Sequence, residues 1–169
     1  MRMRVLFLDK VHPILKKGLE SLSFICHEDY ESEKNDICNK IDNYHGIIIR
    51  SRFKLDKGFL KSASNLKFIA RAGSGLENID LDFCKDKRVK CINAPEGNAQ
   101  AVAEHAIGML LSLFNNLNNA NFEVKKGLWR REENRGIELK EKVFGIIGYG
   151  NTGSKIASIL SGFGVKILA

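Results

Sequence analysis

The stretch "VFGIIGYGNTGSKIASIL" (143–160) constrains this chain more than any other. Gly148, Gly150 and Gly153 follow an apolar run and open an amphipathic one. A strand, a tight glycine turn and a helix, in that order, present free backbone N–H groups and a helix N-terminus to a phosphate. Gly148 permits the turn. Gly150 lacks a Cβ, so backbone can approach a pyrophosphate. Gly153 lets helix and strand pack closely. Asn151 and Thr152 fall in the first helical turn, where their N–H groups would face the anion. Val143 to Ile147 reads as a buried strand. Ile156, Ile159, Leu160 and Phe163 recur at i, i+3, i+4 and i+7, one helix face. Gly164 sits where a left-handed residue ends a helix, and "VKILA" is the next strand. The pattern predicts a dinucleotide site. The same pattern requires an Asp or Glu about 20 residues further on to hold the ribose hydroxyls. The chain ends at Ala169, before that residue. The site is therefore expected to be incomplete here, and the choice between NAD and NADP stays open.

Upstream, short apolar runs alternate with helical spacing. "RVLFLD" (4–9), "SFICHE" (23–28), "GIIIRS" (46–51), "LKFIAR" (66–71) and "RVKCIN" (88–93) read as strands. "PILKKGLESL" (13–22) is helical, with Ile14, Leu15, Leu19 and Leu22 at helical spacing. Near-continuous apolar strands separated by helices indicate a parallel sheet covered on both faces, the doubly wound α/β class. After Pro95 the pattern changes. Residues 98–127 read as one long helix, with Asn98 as N-cap and Gly127 as stop. Its middle, Ala106 to Phe114, is apolar nearly all round, which predicts burial on most sides. The domain boundary is placed near residue 98.

Composition narrows the function classes. No apolar run reaches the ~18 residues of a membrane span. The N-terminal apolar run breaks at Asp9, unlike a signal peptide. Cys26, Cys38, Cys84 and Cys91 are scattered, with no metal-ligand spacing, and read as free thiols of a reducing cytoplasm. The net charge of +7 comes from dispersed lysines with no aromatic interleaving, so nucleic acid is not the expected partner.

Two pairs of residues carry further local arguments. Arg50 and Arg52 follow the triple-isoleucine strand, at the end where open α/β sheets bind ligands. Alternation would put both on one side, and a guanidinium fork suits a phosphate. Surface charge is the alternative reading. Glu104 and His105 are adjacent on a helix and point about 100° apart, so they read as structural and not as a catalytic pair. His12, His27 and His45 receive no role. "GSG" (73–75) is a glycine-flanked turn after a strand, whose N–H groups can form an anion nest or serve only as a turn.

Three stretches, "RAGSGLENIDL" (71–81), "INAPEGNAQAVAEHAIGMLL" (92–111) and "GIELKEKVFGIIGYGNTGSKIA" (136–157), resemble the D-isomer-specific 2-hydroxyacid dehydrogenase family. The likeness runs in order along essentially the whole chain. "IIIRSR" (47–52) and "KKGLWRR" (125–131) are most similar to its phosphoglycerate dehydrogenase branch, which oxidises 3-phosphoglycerate with NAD in serine biosynthesis.

The resemblance implies a flavodoxin-like parallel-sheet substrate domain over residues 1–98, followed by the start of a Rossmann NAD-binding domain over 99–169, truncated. It implies that Ser74 and Gly75 hold the substrate carboxylate through main-chain amides, with Ser74 also near the cofactor. It implies that Gly148, Gly150, Asn151, Thr152 and Gly153 hold NAD. Many members carry a basic residue where Asn151 stands, so some charge toward the diphosphate is lost. An arginine at position 50 or 52 is expected near a substrate phosphate. Arg130 and Arg131, beside Trp129, could also reach that phosphate, across a dimer. The family's catalytic Arg, Glu and His come later in its sequence, so no catalytic residue is assigned here and this chain alone is expected to be inactive. The implied partners are a small 2-hydroxyacid or 2-oxoacid and, when complete, a second copy in a homodimer. Two alternatives stay open: a glyoxylate or hydroxypyruvate reductase, and a non-catalytic binding protein on the same fold.

Overall fold

The computed structural model describes residues 2–169; the chain divides into two compact units, with the boundary between Pro95 and Glu96.

The first unit is built around β1 (Arg4–Phe7), β2 (Ile25–Glu28), β3 (Gly46–Ile49), β4 (Phe68–Arg71) and β5 (Lys90–Ile92). All pair in parallel, in the order β2-β1-β3-β4-β5. This is the flavodoxin-like order, and it reverses direction between β1 and β3. The helices are α1 (Pro13–Ser21), α2 (Lys34–Lys40), α3 (Lys57–Lys61) and α4 (Leu81–Asp86).

The period of two along a strand sorts the apolar residues between faces. Ile47 and Ile49 enter one cluster with Leu6, Leu8 and Ile69, covered by Ile37 of α2, Phe59 and Leu60 of α3 and Cys84 of α4. Ile48 turns the other way and joins Val5 and Phe7, covered by Leu15 and Leu19 of α1. The three isoleucines are therefore shared between two cores, which is why a central strand needs no polar position. In the edge strands β2 and β5 only Cys26 and Cys91 are even partly buried. Local chemistry sets the helix starts. Pro13 occupies the first turn of α1. Asp56 and Asp80 cap α3 and α4, each accepting an N–H three residues on, from Phe59 and Phe83, at 3.0 Å.

The second unit holds α5 (Ala99–Phe114), α6 (Leu117–Lys125), β6 (Val143–Gly145), α7 (Asn151–Leu160) and β7 (Lys166–Leu168). β6 and β7 form a two-stranded parallel sheet joined by α7, a βαβ unit. Gly164 does adopt a left-handed conformation, with φ 66°, before β7.

Four sequence expectations are corrected here. The single helix over 98–127 is two helices, because Asn116 takes φ 51° and breaks the run. Asparagine tolerates that conformation better than other side chains. Asn98 precedes α5, but its side chain makes no capping hydrogen bond. The middle of α5 is not buried on most sides. A stripe of Ala99, Ala103 and Ile107 is buried, and α5 packs against α7, while Met109 and Leu113 are exposed. One packed neighbour covers one stripe, however apolar the rest is. Likewise β6 is not a buried strand: Val143 and Ile147 are exposed, because β6 has only β7 beside it among the described residues.

Ile47→Ala should lower the unfolding free energy of the first unit by about 2–5 kcal/mol, through lost burial and the cavity it leaves. Ile14→Ala, at a side chain 70% exposed, should stay within about 0.5 kcal/mol of wild type. Urea denaturation of both variants measures the contrast.

Candidate functional site

In the first unit the C-terminal ends of the strands are held by one carboxylate and one guanidinium. Asp9 follows β1 at the point where the strand order reverses. Its Oδ2 accepts the backbone N–H groups of Arg50, Ser51 and Arg52 at 2.6, 3.2 and 3.3 Å. The Arg52 guanidinium donates from Nη1 to the carbonyls of Leu8 (3.1 Å) and Asp29 (2.6 Å), and from Nη2 to that of Ser32. One side chain thus ties the ends of β1 and β2 to the loop after β3. Burial opposes the charge on Asp29, but Lys40 and the Ser32 hydroxyl and N–H outweigh it and hold its carboxyl well below the usual range.

Strand alternation does not place Arg50 and Arg52 on one side. β3 ends at Ile49, and both arginines lie in the loop beyond it. Arg52 is half-buried and committed to three carbonyls. Arg50 is exposed, and its guanidinium makes no hydrogen bond among the described residues.

The 73–75 turn is anchored through its carbonyls. Gly73 O accepts from the Ala94 N–H at 2.9 Å, and Ser74 O from Asn93 Nδ2 at 2.5 Å. The N–H groups of Ser74 and Gly75 have no protein acceptor among the described residues. Arg71, the last residue of β4, lies against this turn. A Cβ added to Gly75 would sit 3.1 Å from Arg71 Nη1, and one on Gly73 3.6 Å from its Nε. Arg71 Nε donates to the Arg50 carbonyl at 2.9 Å, and Nη1 pairs with Glu77 at 2.9 Å. Only 13% of the Arg71 side chain is exposed. Sequence reasoning did not single out this arginine. Its signal was its place, directly before a glycine turn at a strand's C-terminal end. Asn78 donates to the same Arg50 carbonyl at 3.3 Å, while its Oδ1 is buried without a partner. The first unit therefore brings Arg50, Arg71, Ser74 and Gly75 to one end of one sheet, with Arg52 beneath as a positioning residue.

In the second unit Gly148 has φ 94°, a conformation other residues rarely adopt. Gly150 starts α7 with no side-chain cap, so the first-turn N–H groups, those of Asn151, Thr152 and Gly153, have no intrahelical or side-chain acceptor. Nothing lies within 4 Å of a Cβ added to Gly148 or Gly150, whereas one added to Gly153 would be 2.0 Å from the Gly148 carbonyl oxygen. The turn is open above and closed below. That is the shape a diphosphate needs: unpaired donors, the positive end of a helix, and no side chain in the way.

The remaining sequence candidates divide. Arg130 is paired with Glu123 at 3.4 Å, and Asn134 Nδ2 donates to the same carboxylate at 2.6 Å. Arg131 and Trp129 are exposed. Glu104 and His105 are both exposed on α5, and Glu104 accepts from Gln100 at 2.8 Å. The other histidines have structural partners: His12 Nδ1 caps the Ile14 N–H, His45 Nδ1 accepts the Arg4 N–H, and His27 meets the Tyr44 hydroxyl. Among the described residues, no three His, Cys, Asp or Glu side chains gather as a metal site, and no helix is long and apolar enough to cross a membrane.

Residues 5–161 match the family model described as the catalytic domain of D-isomer specific 2-hydroxyacid dehydrogenases. The chain belongs to this family. A hydroxypyruvate reductase of Thermotoga maritima is 37% identical over 137 residues, 81% of this chain and 45% of that protein. A D-3-phosphoglycerate dehydrogenase of Synechocystis is 32% identical over 168 residues, 98% of this chain and 30% of that protein. The chain thus spans less than half the length of these curated relatives. Among solved structures, a cofactor-bound 3-phosphoglycerate dehydrogenase of Entamoeba histolytica superposes with a TM-score of 0.73 at 30% identity, over 99% of this chain and 53% of that one.

Within this family member, Arg52→Lys should lower stability by about 1–3 kcal/mol, since an ammonium cannot serve three carbonyls set in a guanidinium's plane. Thermal denaturation measures it, and a melting temperature equal to wild type would show that these hydrogen bonds contribute nothing.

Proposed function

We propose that this chain supplies the substrate-binding segment, over residues 1–98, and the first part of the NAD-binding domain, over 99–169, of a D-2-hydroxyacid dehydrogenase whose substrate is 3-phosphoglycerate. The observation that carries the cofactor half is the uncapped start of α7 behind an open glycine turn. In this reading Gly148, Gly150 and Gly153 shape the cradle, and the N–H groups of Asn151, Thr152 and Gly153 hold the pyrophosphate. Asn151 brings no charge, so the attraction comes from backbone dipoles alone. NAD, when bound, supplies the hydride acceptor.

The substrate half rests on the end of the five-stranded sheet. Ser74 and Gly75 hold the substrate carboxylate with their N–H groups. Arg50, exposed and unpaired, takes the phosphate, and Arg71 adds fixed positive charge beside the turn. Arg52 does not touch substrate but keeps the Arg50 loop in place. No residue of this chain is assigned to proton transfer. The reading includes a cytoplasmic setting, consistent with four free cysteines. It also includes a homodimer, for which exposed Met109, Leu113 and Phe122 offer apolar surface.

A second reading, reduction of an unphosphorylated 2-oxoacid such as hydroxypyruvate, is favoured by the 37% identity to the Thermotoga reductase. Arg50 separates the two. In the phosphoglycerate reading, Arg50→Ala weakens binding of 3-phosphoglycerate to this chain by about tenfold or more and leaves D-glycerate unchanged. Equal effects on both ligands, followed by amide shifts in a titration, favour the second reading. For the cofactor half, Gly153→Ala should abolish NAD binding in calorimetry, because its Cβ collides with the Gly148 carbonyl. NAD binding unaffected by that change would sink the cradle assignment.

A further inference from the structure

The carboxylate of Glu77 lies over the substrate turn. Its Oε2 is 1.9 Å from the point a Gly75 Cβ would occupy, so it rests against the Gly75 backbone. Oε1 is 2.9 Å and Oε2 3.0 Å from Arg71 Nη1. No other side-chain carboxylate pairs with Arg71 among the described residues. The two partners differ sharply in freedom. Arg71 is 13% exposed and held by the Arg50 carbonyl, whereas Glu77 is 72% exposed and anchored by nothing but the pair and its own backbone N–H. These last two contacts keep the Glu77 carboxyl below the usual range, with desolvation opposing them, so it is ionised at neutral pH.

We propose that Glu77 is a displaceable internal anion, which occupies the charge of Arg71 and the face of Gly75 until an anionic substrate pushes it aside. The inference rests on the reading that the 73–75 turn and Arg71 receive a substrate anion. Three consequences follow from the geometry. The charge of Arg71 is balanced when the turn is empty, so a half-buried guanidinium is never left without a counter-charge. A ligand gains only the difference between its own contacts and those of Glu77, so a neutral molecule cannot open the site and an anion can. The exposed end of the pair costs little to move, because surface ion pairs are weak and screened. Gly75 fits this arrangement: any side chain there would take the place of the Glu77 carboxylate. Glu77 acts here as a specificity-determining residue and takes no part in the chemistry.

The test is a titration of the 169-residue chain with 3-phosphoglycerate at low ionic strength, following the amides of Ser74 and Gly75 and the Nε–H of Arg71 by nuclear magnetic resonance. Glu77→Gln keeps the shape and removes the charge, and Glu77→Asp keeps the charge as a control. Glu77→Gln should bind about three- to tenfold more tightly than wild type, the effect of deleting one competing ion pair. A mere loss of local structure would weaken binding instead. Equal or weaker binding by Glu77→Gln, with the three groups still shifting, overturns the role of Glu77 and leaves the anion site standing. If none of the three groups shifts in any variant, the anion site itself is wrong, and the role of Glu77 falls with it.

Discussion

The carboxylate of Asp9 accepts three consecutive backbone N–H groups, those of Arg50, Ser51 and Arg52. The loops at the C-terminal end of the five-stranded sheet depend on that capture. Parallel strands end with carbonyls and N–H groups that no ladder satisfies, and they must be paired or left to water. Asp9 answers this at the reversal of strand order, where the loops after β1 and β3 part. Arg52 answers it from the other side by donating to three carbonyls. With both in place, the Arg50 carbonyl is fixed, and Arg71 and Asn78 are positioned on it. The 73–75 turn then rests on Arg71. A charged pair of residues far apart in the chain thus orders a run of uncharged backbone.

Both units leave backbone N–H groups without a protein acceptor among the described residues, by different means. In the second unit the donors belong to a helix start, whose alignment is intrinsic to the helix. The glycines there only clear the way, and Gly153 closes the floor. In the first unit the donors belong to an irregular turn. That turn keeps its shape because Ala94 and Asn93 hold its carbonyls and Arg71 supports it from below. A helix start tolerates changes around it; a turn of this kind depends on each contact that pins it.

Much of this could be read before any coordinates. The glycine turn, the apolar strands and the left-handed Gly164 follow local rules that act within a few residues. Cover on both faces of the sheet followed from the near-continuous apolar strands, Ile47, Ile48 and Ile49 among them. What escaped was contact between distant residues. Arg52 looked like a phosphate ligand because its type and position allow that, and only the fold shows its guanidinium turned to Leu8, Asp29 and Ser32. Arg71 and Glu77 were quoted within a motif without roles, since their pairing depends on how the turn folds back. The break at Asn116 was hidden by helical spacing on both sides of it. The exposure of Met109 and Leu113 was hidden too, because apolar composition indicates a wish to be covered and not the presence of a cover.

The sequence by itself determined the class of fold, the succession of its strands, and the place of the glycine turn before α7. These depend on periodicity, on glycine and proline geometry and on caps, all of which are written in consecutive residues. The tertiary structure alone decided which charged groups stay free to meet a ligand. Arg50 is free, Arg52 is consumed, Arg71 is fixed and Glu77 is poised against it. The physical reason is that a charge is spent or available according to what lies within hydrogen-bond reach. For these residues the neighbours come from strands and loops brought together only when the sheet closes.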